Sequence, residues 1–224
     1  IKAQAEKLAF AHTMFFTNQP QEELALKLVD RFGDDDARVY FLSGGSEANE
    51  TAIKLARQYW LSQGFDQKHV VISRRQSYHG NTLGALSLSG NPMRREIYAP
   101  LLHDWPRIAP CYAYRPQTDD ETDEDYGHRH GKAVEEAIVE HGAENIAAFI
   151  AETVVGATLG AVPPAPGYLK NIREICDRHE ILMILDEVMS GSGRSGTYFA
   201  FEQDDVSPDI TTIAKGLGGG YQAI

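Results

Sequence analysis

Two unbroken apolar runs, NIAAFIAE (145–152) and ILMILDE (181–187), constrain the fold more than any other feature of the chain. Each has the length of a strand, and neither alternates polar with apolar residues. Runs of that kind are strands buried on both faces. Helical patterns flank them: GKAVEEAIVEHG (131–142) before the first, GYLKNIREICDRHE (167–180) between the two. KHVVIS (68–73), PDITTIAK (208–215) and the short apolar ARVYFLS (37–43) read as further strands. Strands alternating with helices predict an α/β fold: three layers, with a mainly parallel sheet covered on both faces.

Two more helices precede that core. QPQEELALKLVDRFG (19–33) carries Pro20 at an early helical position, Glu22 and Glu23 in its first turn, and Gly33 past its end. GGSEANETAIKLARQYWLSQG (44–64) places Ala48, Ala52, Leu55, Ala56 and Tyr59 on one face. The proline-bearing stretch from Leu83 to Pro116 predicts no regular element, and the acidic block from Thr118 to Gly131 reads as a solvated loop. No internal repeat and no linker marks a second domain. The expected division is an N-terminal segment, 1–35, leading into one large domain, 36–224.

Composition excludes several classes. The chain is 42% hydrophobic and 24% charged, ordinary for a globular protein. Its net charge of −11 disfavours a nucleic-acid partner, whose phosphates attract Lys and Arg. No apolar run is long enough for a membrane span, and IKAQAEKLAF lacks the apolar core of a signal peptide. Cys111 and Cys176 stand apart in no ligand spacing, which fits a reducing, cytoplasmic setting.

In a parallel sheet, ligands bind beyond the carboxyl ends of the strands. The residues there are Ser43 to Ser46, Tyr78 and His79, Glu152, Asp186 and Glu187, and Lys215. SGGSEANE sets two glycines before a helix N-terminus, where backbone N–H groups and the dipole attract an anion. Ser46 adds a hydroxyl there. A plain turn with a serine cap explains the same residues, and neither the dinucleotide nor the P-loop glycine pattern is present. Asp186, after five apolar residues, needs a partner: a cation, a protonated ring nitrogen, or the N–H groups of the next turn. Lys215, among glycines at a strand end, is either a desolvated nucleophilic amine or an ordinary surface lysine. Tyr78 and His79 can stack on a flat ligand or simply pack. HRH (128–130) lacks a third-ligand spacing, so a solvated loop is favoured over a metal site. Taken together, an anion cradle, an aromatic plate, a buried acid and a lysine match one molecule. Pyridoxal phosphate forms a Schiff base with lysine and pairs its pyridinium nitrogen with an acid.

FLSGGSEANETAIKLAR, YHGNTLGALSLSG, AETVVGATLGAVPPAPGYL, LDEVMSGSGRSG and PDITTIAKGLGGGYQAI together resemble the class III (ω-type) aminotransferases, pyridoxal-phosphate enzymes of the aspartate aminotransferase fold type. The resemblance runs in order over almost the whole chain. It implies a sheet of about seven strands. It makes Lys215 the lysine that holds the cofactor as an internal aldimine and shuttles the proton in catalysis, and Asp186 the acid on the pyridine nitrogen. Gly45 and Ser46 match the phosphate cradle. Tyr78 matches the ring-stacking aromatic with His79 beside it, Val188 the apolar residue on the opposite ring face, and Glu152 the acid near the cofactor. The implied reaction moves an amino group between an amine or ω-amino acid and a 2-oxo acid such as pyruvate. An aminomutase, racemase or decarboxylase on the same fold is the alternative, as is a non-catalytic relative. Thr153, Met189 and Ser195 depart from common family residues, and Met189 resembles the branch accepting ω-amines with pyruvate. Family members are homodimers with sites at the interface. They are also longer, so a C-terminal small domain carrying a carboxylate-binding arginine is expected outside these 224 residues.

Overall fold

The computed structural model describes residues 1–114 and 121–224. The chain divides into two compact units, Ile1–Phe41 and Leu42–Ile224. The first holds helices α1 (Lys2–Lys7) and α2 (Gln19–Phe32). Asn18 caps α2 by accepting from the Gln21 N–H at 3.1 Å, Pro20 sits in the first turn, and left-handed Gly33 ends it. Glu22 lies in that first turn.

The second unit is built on five parallel strands among the described residues: β1 (Val70–Arg74), β2 (Arg107–Ile108), β3 (Ile146–Glu152), β4 (Leu182–Asp186) and β5 (Ile210–Thr212), in the order β2-β1-β3-β4-β5. The sheet is all-parallel but has five strands rather than about seven. ARVYFLS forms no strand. It straddles the boundary between the units, pairs with no strand among the described residues, and leaves Tyr40 exposed. A strand without a partner leaves its N–H and C=O groups unpaired.

The helices of this unit are α3 (Gly45–Ser62), α4 (Leu83–Leu88), α5 (Pro92–Arg95), α6 (Asp123–His141) and α7 (Tyr168–Arg178). Ala52 and Ala56 of α3 pack on Val71, Ala148, Ile150 and Ile184, so one face of the sheet meets small residues and the helix sits close. Phe149, Met183 and Leu185 alternate with these and point the other way. They are equally buried, beneath α6 and α7. The buried face of α3 is Asn49, Ala52, Ala56 and Trp60; of the other predicted positions, Ala48 is half-buried and Leu55 and Tyr59 are exposed. Trp60 decides this rotation, because its indole N–H donates to the Ala147 carbonyl at 2.7 Å.

Two expectations for the middle of the chain fail. The acidic block is the start of α6 from Asp123 onward, not a loop; Thr118, Asp119 and Asp120 lie outside the described residues. Thr122 caps this helix by accepting from the Asp125 N–H, and Asp123, Glu124 and Asp125 complement the dipole in the first turn. The stretch from Leu83 carries α4, α5, a 3₁₀ turn at Glu96–Leu101 and β2, while Arg115 and Pro116 lie outside the described residues. Pro92 occupies the first turn of α5, where its missing N–H costs nothing.

At the amino ends of the strands, Lys68 is only 3% exposed. Its ammonium donates to the carbonyls of Ala143, Ile146 and Glu180 at 2.9–3.0 Å and lies 4.5 Å from the Trp60 ring centre. One side chain thus ties together the chain entering β1, β3 and β4.

Candidate active site

The strand order reverses beside β1: the chain steps outward to β2, then returns to place β3 on the other side of β1. Such a switch point leaves a crevice at the carboxyl ends of the two strands. Glu152 ends β3, and its carboxylate accepts the Tyr78 N–H across the switch point at 3.2 Å. The same carboxylate accepts the Gly156 N–H, also at 3.2 Å. Burial pushes this carboxyl above the usual carboxylate range. The His79 and Arg74 charges and the Gly156 N–H pull it back, while Asp186 adds to the rise. Arg74, fully buried at the end of β1, donates to the Glu152 backbone carbonyl and lies over the Tyr168 ring.

Strand register brings the acids together. Glu152 pairs with Asp186 across β3 and β4, and Asp186 with Thr212 across β4 and β5. Asp186 is 4% exposed, yet it has three donors. Its Oδ2 accepts from Asn49 Nδ2 at 2.7 Å and from His79 Nδ1 at 2.9 Å; its Oδ1 accepts the Val188 N–H at 3.0 Å. Since an ionised carboxylate only accepts, His79 Nδ1 carries the hydrogen. His79 Nε2 is buried without a hydrogen-bond partner among the described residues.

The α3 N-terminus closes the other side. Gly44 is the cap residue and no side chain caps the helix, so Ser46 is not the cap. Its hydroxyl instead accepts the Asn81 N–H at 3.0 Å. Two glycines make close approach possible. A Cβ on Gly45 would lie 2.7 and 2.9 Å from the two Val188 methyls, and one on Gly80 (φ +144°) would lie 2.7 Å from Ser46. Tyr78 is half-buried, with the Arg94 guanidinium 4.5 Å from its ring centre. Lys215 is exposed, sits at φ +43°, and opens a 3₁₀ turn just beyond β5. Non-glycine residues seldom occupy that region, and such positions cluster at functional sites.

Gly45, Ser46, Tyr78, His79, Glu152, Asp186 and Val188 are therefore linked by direct contacts, and Lys215 follows the adjoining strand. Glu187, also singled out in the sequence, has a different task. It is 1% exposed, its carboxylate accepting from Ser190 and from the N–H groups of Ala200 and Phe201, which braces the loop after β4. His130 is buried on α6 and stacks on Tyr126, its ring held toward the neutral form by burial. Sequence reasoning missed Asn49, Thr212 and Arg74. The signal for Asn49 was a polar residue at helical spacing from Ala52, Ala56 and Trp60.

The residues present fit pyridoxal phosphate. The uncapped start of α3 with the Ser46 hydroxyl suits a phosphate. The buried carboxylate of Asp186 suits a protonated ring nitrogen.

The model for the family described as aminotransferase class-III matches residues 1–224. An uncharacterized aminotransferase of Schizosaccharomyces pombe is 48% identical over 99% of this chain, which covers 48% of that protein. The hypotaurine/taurine–pyruvate aminotransferase of Paracoccus denitrificans is 37% identical over 92% of this chain and 44% of its own length. The crystal structure of an (S)-enantioselective omega-transaminase from Thermomicrobium roseum superimposes with a TM-score of 0.91 at 41% identity, over 99% of this chain and 49% of that one. The chain spans about half the length of the curated relatives it matches. On the family match and these identities, the chain belongs to the aminotransferase class-III family.

Proposed function

We propose that the protein moves an amino group between an amine or ω-amino acid and a 2-oxo acid such as pyruvate, using pyridoxal phosphate held through Lys215. The observation that carries this reading is the buried Asp186 carboxylate. It stands at a sheet's carboxyl edge beside an uncapped helix start, with three of its roughly four acceptor positions filled. Pyridoxal phosphate, when bound, supplies a carbonyl that takes up the amino group and a protonated ring that withdraws electrons. Asp186 would hold the proton on the ring nitrogen. Ser46 Oγ and the first N–H groups of α3 would hold the phosphate, and Tyr78 and Val188 would line the place of the ring. Lys215 Nζ would anchor the group and is the amine that would carry a proton at the reacting carbon. The relatives named for pyruvate and omega-transaminase chemistry favour an ω-amine donor and pyruvate as acceptor. Exposed apolar side chains at Leu83, Met93, Ile97, Tyr98 and Leu101 favour a second copy of the chain as partner.

The test is a visible spectrum of the purified protein with added pyridoxal phosphate. We expect an absorption band that bleaches with an amine donor and returns with pyruvate. A band that forms but is bleached by no donor would mean another pyridoxal-phosphate reaction. Lys215→Ala is expected to abolish turnover, and normal turnover in that variant would refute the assignment.

A further inference from the structure

We propose that Asn49 is a positioning residue for Asp186, fixing which carboxylate oxygen is left to meet the cofactor. The proposal rests on the function given above. Asn49 is 1% exposed and joins three elements at the head of the sheet. Its Nδ2 donates to Asp186 Oδ2 at 2.7 Å and to the His79 backbone carbonyl at 2.6 Å; its Oδ1 accepts the Thr212 hydroxyl at 2.8 Å. The two contacts of Nδ2 fix the amide orientation, and the Thr212 hydroxyl fits it. The flipped amide would set its oxygen against a carboxylate and a carbonyl, both acceptors.

The consequence lies in the arithmetic of lone pairs. Asn49 and His79 take both acceptor positions of Oδ2, and the Val188 N–H takes one on Oδ1. One position remains, on Oδ1. Without Asn49, His79 on Oδ2 and the Val188 N–H on Oδ1 would leave one open position on each oxygen; with it, the open position lies on Oδ1 alone. Thr212 acts one step further back by orienting the amide.

The test compares Asn49→Leu, alike in branching and heavy-atom count but without donors, with the wild type. Three readouts are taken: the dissociation constant for pyridoxal phosphate, the pH midpoint of the bound cofactor's visible band, and thermal unfolding without cofactor. Losing a hydrogen bond to a charged group predicts binding weaker by about tenfold or more, together with a displaced midpoint. A purely structural asparagine would lower the unfolding temperature and leave affinity and midpoint unchanged, and that result overturns the proposal. If Asn49→Leu does not fold, Thr212→Val decides. It keeps Asn49 but removes the hydroxyl that orients it, and must show the same displacement in smaller measure. Unchanged affinity and midpoint in Thr212→Val would then overturn the proposal. A wild type without any cofactor band would refute the proposed function instead, so the two failures are distinguishable.

Discussion

Gly45→Ala is a sharp test of the packing that shapes the site. An added Cβ would lie 2.7 Å from one Val188 methyl and 2.9 Å from the other. Carbon atoms rest about 3.5–4.0 Å apart, so the overlap is about 1 Å with two atoms at once. Val188 cannot easily rotate away, because a β-branched side chain is stiff at χ1. Nor can its backbone readily shift, since its N–H is held by Asp186 Oδ1. Overpacking of this kind costs about 1–3 kcal/mol. Alanine's better helix propensity returns at most about 1 kcal/mol. The net expectation is a loss of about 0.5–2 kcal/mol, with weaker retention of pyridoxal phosphate. Val188→Ala removes both methyls and should rescue the substitution, giving a coupling of about 1 kcal/mol or more in a double-mutant cycle. Urea titration of the purified protein without cofactor measures all four corners of the cycle. Wild-type stability in Gly45→Ala with no coupling to Val188 would refute the reasoning.

Lys68→Met should cost about 2–4 kcal/mol, since three carbonyls lose a charged donor, and denaturant titration reads the loss directly. Burial pushes the Lys68 amine below its ordinary value of 10.5. The unfolded chain therefore holds that proton more tightly, and the stability due to Lys68 rises as pH climbs from the lowered value to 10.5. The gap in stability between wild type and Lys68→Met should widen over that alkaline window, and a gap that narrows there would contradict the assignment. Both cysteines are buried, and burial pushes the Cys176 thiol up to about 12, so neither should react with a thiol reagent at pH 8 until the protein is denatured. Peptide mapping after labelling checks each one. Trp60→Phe removes the N–H that meets Ala147 and should lower stability by about 1–3 kcal/mol, read by thermal or urea unfolding.

The apolar runs made the sheet legible, because a strand buried on both faces leaves few other readings. β3 and β4 lie where NIAAFIAE and ILMILDE predict them, with Glu152 and Asp186 at their carboxyl ends, whereas Gly45 and Ser46 follow no strand. One failure depends on what lies elsewhere in the chain: ARVYFLS has the composition of a strand but pairs with no strand among the described residues. The acidic block differs, because the signal that it starts a helix is local: Thr122 as the cap and three acids in the first turn. The face of α3 was misjudged by one residue, because the reading scored apolar residues and ignored a buried asparagine. Asn49 earns its place from Asp186, 137 positions away, a relation no local window contains.

The rotation of α3 carries a consequence for how such a site can change. Positions 49, 52, 56 and 60 form one stripe, and 148, 150 and 152 with 184 and 186 continue one side of β3 and β4. Ala52 and Ala56 meet Ile184 along the same line on which Asn49 meets Asp186. Reactive groups and oily ones are thus ruled on a single grid. An insertion of one residue between Asn49 and Ala52 would swing the asparagine by about 100° around the helix. The alanines below could stay seated while the contact to Asp186 was lost. Point substitutions can tune chemistry here, but gains and losses of length within this helix are closed to the lineage unless they come in whole turns.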